Sequence, residues 1–119
     1  MGDNAKLIRD FCAAWSRMDA DELAGYFTED AIYHNIPMTP YIGRETIHKA
    51  LMDMAGRMKD VRFEIKGQVA HDDLVMHERL DFMTVDGQSK ALPVMAVFQI
   101  EGGKIKAWRE YFDRSMAAG

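Results

Sequence analysis

Arg79 and Asp81 stand two residues apart in a segment with strand character, Glu78-Arg79-Leu80-Asp81-Phe82. Side chains two apart on a strand point to the same face. Such a pair either faces solvent or, under cover, is paired or functional. The neighbours argue for cover: the same face carries Val75 and Met83, and the opposite face carries Leu74, Met76, Leu80 and Phe82. A sheet apolar on both sides is covered on both sides, and charges within it need partners. A further carboxylate, Asp113, ends an aromatic strand in which Arg109 and Glu110 are interspersed with Trp108, Tyr111 and Phe112. It either caps the residues that follow or stands at the mouth or floor of a pocket. Tyr33 and Asn35 share one face of another strand. A phenol and a carboxamide side by side can hold a water molecule by several hydrogen bonds. They equally fit a satisfied core tyrosine and a turn-forming asparagine.

The elements that must position these groups follow from periodicity. Residues 4–18 repeat apolar side chains at helical spacing, with Leu7, Phe11 and Trp15 beside Ile8, Cys12 and Met18. Asp19 followed by Glu22 reads as a capping box that opens a short helix through Leu23 to Phe27. Ala31–Ile36 reads as a strand, and Pro37, Pro40 and Gly43 punctuate a loop. Residues 44–58 form a third helix with Ile47, Leu51, Met54 and Met58 on one side. From Val61 the period becomes two. Strands are predicted over 61–70, 74–85, 92–100 and 104–113, with Asp86-Gly87 a strong hairpin signal. The segment 92–100 is nearly all apolar, which predicts burial on both faces and an outer face that meets a partner subunit. Helices followed by antiparallel hairpins give an α+β fold. The expected architecture is a strongly curved, mixed but mainly antiparallel sheet, with three helices from the N-terminal half closing a conical pocket.

Composition sets the outer limits. A chain of 119 residues fits one domain, taken here as 1–119, with one core and room for one pocket. The net charge is −4, and no run of Lys and Arg exceeds two residues. Nucleic acid is an unsuitable partner, since phosphate binding needs a concentrated basic surface. No apolar stretch is long enough for a signal peptide or a membrane span, so a cytoplasmic location is expected. Cys12 has no partner for a disulfide within the chain and reads as a small core residue. The ten methionines suit core filling and pockets for loosely shaped apolar ligands. The four histidines show no metal-ligand spacing, and no metal or cofactor is expected.

The strings Tyr33-His34-Asn35-Ile36-Pro37, Gly43-Arg44-Glu45, Glu78-Arg79-Leu80-Asp81, and Gly103-Lys104-Ile105 with Trp108-Arg109-Glu110-Tyr111-Phe112-Asp113 resemble the limonene epoxide hydrolase family in order and approximate spacing. That family shares a cone-shaped α+β fold with ketosteroid isomerases, polyketide cyclases and a nuclear transport factor. The resemblance implies that Arg79 bridges Asp81 and Asp113. Tyr33, Asn35 and Asp113 would hold the attacking water, with Asp113 the general base and Asp81 the general acid. It further implies a one-step reaction without covalent intermediate or metal, and a homodimer. Met83, Leu92, Val94, Phe27, Trp15 and Met54 are the candidate pocket walls for a small apolar epoxide.

Charge balance supports such a division of labour. Two ionised aspartates around one arginine carry a net −1, which a dry pocket penalises; one added proton makes the trio neutral. An acid and a base then coexist near neutral pH, as push-pull ring opening requires. Two other classes remain open: an isomerase or cyclase that removes a proton next to a carbonyl, and a non-catalytic small-molecule-binding module.

Overall fold

The Asp86-Gly87 turn sets the register of the central hairpin. Both residues adopt positive φ, 51° and 85°, which matches the twist that a two-residue hairpin needs. It joins β4 (Leu74–Val85) to β5 (Gln88–Glu101), paired antiparallel from Leu74↔Gln99 to Val85↔Gln88. Around this pair lie β3 (Met58–His71), β6 (Lys104–Tyr111), β1 (Phe27–Asn35) and the two-residue β2 (Tyr41–Ile42). The computed structural model describes residues 2–118. Its six-stranded sheet has the order β2-β1-β6-β5-β4-β3, with β1 and β6 parallel and the other pairs antiparallel. Register shifts interrupt β3, the β1–β6 pair and the β5–β6 pair. Such bulges bend and twist a sheet locally, which curves this one into a trough. The mixed, mainly antiparallel α+β cone expected from the sequence is the fold observed.

Helices close the concave side. α1 (Gly2–Ala14) continues into a tight 3-10 turn at Trp15–Arg17, which ends at Met18 in the left-handed conformation, φ 46°. The single helix expected over 4–18 is therefore broken one turn early. Asp19 caps α2 (Ala20–Ala24) by accepting from the Asp21 and Glu22 amides. α2 stops before Phe27, which opens β1 and does not extend the helix. α3 (Arg44–Arg57) buries Ile47 and Leu51. A short α4 (Arg114–Ala118), not foreseen, follows β6. Among the described residues no helix is long and apolar enough to cross a membrane.

Aromatic rings fill the core. Phe11 on α1 meets Trp15, Tyr26, Phe27, Phe98 and Trp108, with centroids 4.9–6.2 Å apart. On the sheet, Tyr33, Trp108 and Phe98 are register neighbours across β1, β6 and β5, and their rings stack. Burial alternates strictly along β5: Leu92, Val94, Ala96, Phe98 and Ile100 point inward, while Pro93 and Met95 are exposed. Burial of this segment on both faces, expected from its apolar run, does not occur within one chain. Only the concave face has helices over it. Phe11→Ala removes the ring that touches all five others and should cost about 3–5 kcal/mol. Urea denaturation will measure this; a loss below about 1 kcal/mol would mean that the core closes without that ring.

Candidate active site

Alternation along β4 sends Val75, His77, Arg79, Asp81 and Met83 toward the helices. The Arg79 and Asp81 side chains are 0 % and 5 % exposed, so the covered reading of this pair is the observed one. Arg79 donates to Asp81 from Nε at 2.6 Å and from Nη2 at 2.8 Å. Its other edge meets Glu110, with Nη2 to Oε1 at 2.5 Å and Nη1 to Oε2 at 3.0 Å. The guanidinium is therefore gripped along two edges by two carboxylates. The Phe63 ring lies against it, 4.3 Å from Cζ to centroid, a distance at which a ring face attracts a cation.

Glu110 occupies the place that the sequence reading gave to Asp113. β6 ends at Tyr111, and Asp113 lies beyond it, exposed. Its Oδ1 accepts from the Ser115 amide at 2.9 Å and hydroxyl at 2.7 Å, so it caps α4. Those bonds hold its carboxyl below the usual value. The reason is parity: on β6, Trp108 and Glu110 share the inward face, and an odd-numbered carboxylate cannot join them. The signal was present in the sequence, since the buried Trp108 dictates that Glu110 points inward. Trp108 also fastens Glu110, its Nε1 donating to Oε2 at 2.7 Å.

Tyr33 and Asn35 do share the inward face of β1, and Asn35 is the register partner of Glu110. His34 points outward and lies 2.9 Å, through Nε2, from the Met38 carbonyl. A cavity of about 350 Å³ opens in front of these groups. Tyr33, Asn35, Asp81 and Glu110 border it; Arg79 does not, and so stands behind the two carboxylates. Trp15, Met54, Met83, Leu92 and Val94 line it, together with Met38, Met58, Phe63 and Phe112. Phe27 is the exception: it is sealed in the core between Phe11 and Trp108. Among the described residues the one buried side-chain polar atom without a partner is Trp15 Nε1.

Electrostatics follow from burial. Desolvation works against the Arg79 charge, but Glu110 and Asp81 more than offset it and keep the side chain protonated. Burial pushes Glu110 above the ordinary glutamate value, against the opposing pull of Arg79. Tyr33 is likewise raised, first by burial and then by the Glu110 charge, so its phenol keeps its proton. Burial also pushes the Cys12 thiol up to about 12, in keeping with a core residue. No group of three or more His, Cys, Asp and Glu suited to a metal occurs among the described residues.

A small cone with buried carboxylates at its floor defines a class, and the chain belongs to the SnoaL-like domain family, which matches residues 8–108. It is 29 % identical over 108 residues to the epoxide hydrolase EphG of Mycobacterium tuberculosis, an alignment covering 89 % of this chain and 70 % of that protein. Among solved structures it is similar to an LEH-like epoxide hydrolase of M. tuberculosis, with TM-score 0.87 and 24 % identity over 97 % of this chain and 86 % of that one. It is also similar to a candidate polyketide cyclase of Xanthomonas campestris, with TM-score 0.80 and 21 % identity over 98 % and 96 % of the two chains. The resemblance to limonene epoxide hydrolases read from the sequence agrees with the first of these; the two solved structures carry the fold alone.

Glu110 makes the site a pH-dependent term in stability. A carboxyl raised in the folded state favours folding below its unfolded value and loses that contribution as pH rises through the folded value. From the ordinary 4.5 upward, the wild-type protein should therefore lose stability relative to Glu110→Gln. Unfolding free energies of both proteins across pH test this. A difference that stays flat would mean that Glu110 titrates alike in both states.

Proposed function

We propose that the protein is a cofactor-independent epoxide hydrolase that adds water to a small apolar epoxide in one step and gives a vicinal diol. The observation that carries this reading is one buried guanidinium gripped by two carboxylates that both border an apolar cavity, beside Tyr33 and Asn35. The trio holds one shared proton and is neutral at the start; Asp81 serves as the acid and Glu110 as the base. Glu110 is the base because Asn35 is its register partner and Tyr33 stacks on the Trp108 that fastens it. Tyr33 and Asn35 hold the water while Glu110 takes its proton. The water oxygen bonds to an epoxide carbon, that carbon's bond to the ring oxygen breaks, and Asp81 protonates the departing oxygen. The proton on Glu110 then returns to Asp81 through solvent. Arg79 keeps acid and base in fixed relation and touches no substrate. The methionine, leucine and valine walls exclude bulk water and fit an apolar body.

A second reading is an isomerase or cyclase, favoured by the elevated proton affinity of Glu110 and by the likeness to a candidate polyketide cyclase. It needs one base and gives Asp81 no task. We further propose, from the resemblance, that the exposed outer sheet face pairs two copies. On that face Met95 lies opposite Tyr111, and Met76 opposite Val69. Met95→Glu should then yield monomers in sedimentation, and an unchanged sedimentation coefficient would sink this pairing.

The function is tested on a panel of small epoxides. Asp81→Asn and Glu110→Gln should each lower kcat by about 10²–10⁴, while Asp113→Asn stays near wild type. In a single turnover in heavy-oxygen water, the label should enter the diol directly. Label delivered from an enzyme carboxylate would rule out the one-step route. Turnover of an enone substrate that survives Asp81→Asn, with none of the epoxides, would favour the second reading.

A further inference from the structure

A guanidinium has five N–H groups and no acceptor. Four of those of Arg79 are spent on Asp81 and Glu110. The fifth, on Nη1, is directed to His77 Nε2 at 3.1 Å. Since Arg79 can only donate, Nε2 must offer its lone pair, and a neutral ring then carries its proton on Nδ1. Nδ1 lies 2.9 Å from Gln68 Oε1, which can only accept. An amide whose oxygen faces the ring turns its NH₂ the other way, and Gln68 Nε2 donates to the Ala5 carbonyl on α1 at 3.0 Å. Every donor and acceptor role from helix to carboxylate is thereby fixed. The register agrees: Asn35, Glu110, Ala96, His77 and Gln68 form one row across five strands. Ala96, the smallest member, separates Glu110 from His77.

We propose that His77 is a positioning residue, held between Arg79 and Gln68 as its neutral Nδ1–H tautomer, and that it aims Arg79 and through it both carboxylates. Its catalytic meaning rests on the function proposed above. Phe98 packs edge-on against the ring at 5.1 Å, and Arg79 is the charged group in contact with it. Burial and the Arg79 charge push its pKa down to about 3. A charged ring would set one donor against another and leave one Nη1 hydrogen without an acceptor.

Two measurements test the proposal. The first needs no substrate. Nitrogen-15 spectra should give His77 a protonated Nδ1 and a bare Nε2 at about pH 7 and again at about pH 5. A protonated Nε2 or a charged His77 would overturn the assignment. In Gln68→Leu, where Arg79 still donates to Nε2, the Nδ1–H form should persist without its acceptor, so the Nδ1–H proton signal should move upfield; an unmoved signal would show that Gln68 does not hold the ring. The second measurement separates positioning from filling. His77→Leu fills the space without an acceptor and should lower kcat about tenfold or more, since small misplacements of reacting groups are costly. KM should change less than about threefold, because no substrate contact is lost. His77→Gln, whose Oε1 can accept from Arg79, should recover most of the loss. A folded His77→Leu protein with wild-type kcat, or no recovery in His77→Gln, would overturn the role. If wild type turns over no epoxide, the function proposed above fails by itself. The Arg79 guanidinium nitrogen signals then decide: they should stay sharp in His77→Gln and broaden in His77→Leu, and equal sharpness in both would refute the proposal.

Discussion

The buried charge of Arg79 is the constraint on which the rest of this molecule is arranged. A desolvated guanidinium without partners would cost several kcal/mol. Here each of its N–H groups has an acceptor, contributed by β4 itself and by β6 two strands away. Satisfying that one cation requires β4, β5 and β6 in fixed register, Ala96 small enough to lie between the two sides, and Trp108 close enough to hold Glu110. The aromatic stack of Tyr33, Trp108 and Phe98 thus performs two tasks. It forms the core beneath the polar row, and it anchors the far carboxylate through the indole N–H.

Much of this was legible in the sequence because strand parity is a hard geometric rule. The spacing of Arg79 and Asp81 and that of Tyr33 and Asn35 assigned each pair to one face, and the observed strands agree. The hairpin turns, the Asp19 cap and the inward side of α3 followed from equally local chemistry. Parity applied to β6 would also have selected Glu110, since Trp108 must be buried and Glu110 lies two residues on. Asp113 was favoured by motif position, which carries no information about where a ladder ends. The strand stops at Tyr111, and the next carboxylate caps a helix.

The remaining misreadings have a common cause. Phe27 was assigned to the cavity wall, and the 92–100 segment to burial on both faces, because hydrophobicity alone does not report which neighbour covers a side chain. The first depends on Phe11 crossing from α1; the second depends on surfaces outside a single chain. The His77–Gln68–Ala5 chain was equally hidden. Its members are ordinary in the sequence and acquire meaning from a register that aligns β3, β4 and β6 with the start of a helix.

The cavity walls show a different kind of organisation. Met38, Met54, Met58 and Met83 reach it from a loop, α3, the start of β3 and β4. Unbranched thioether chains adapt their shape at little cost, whereas the carboxylates behind them are held by one rigid, planar cation. Heritable change can therefore act on the two parts separately. Exchanges among the four methionines would redraw the outline of the cavity and leave the spacing of the two carboxyl groups untouched. Such a division makes the scaffold adaptable: the wall can be remodelled while the cation and its two carboxylates stay as they are.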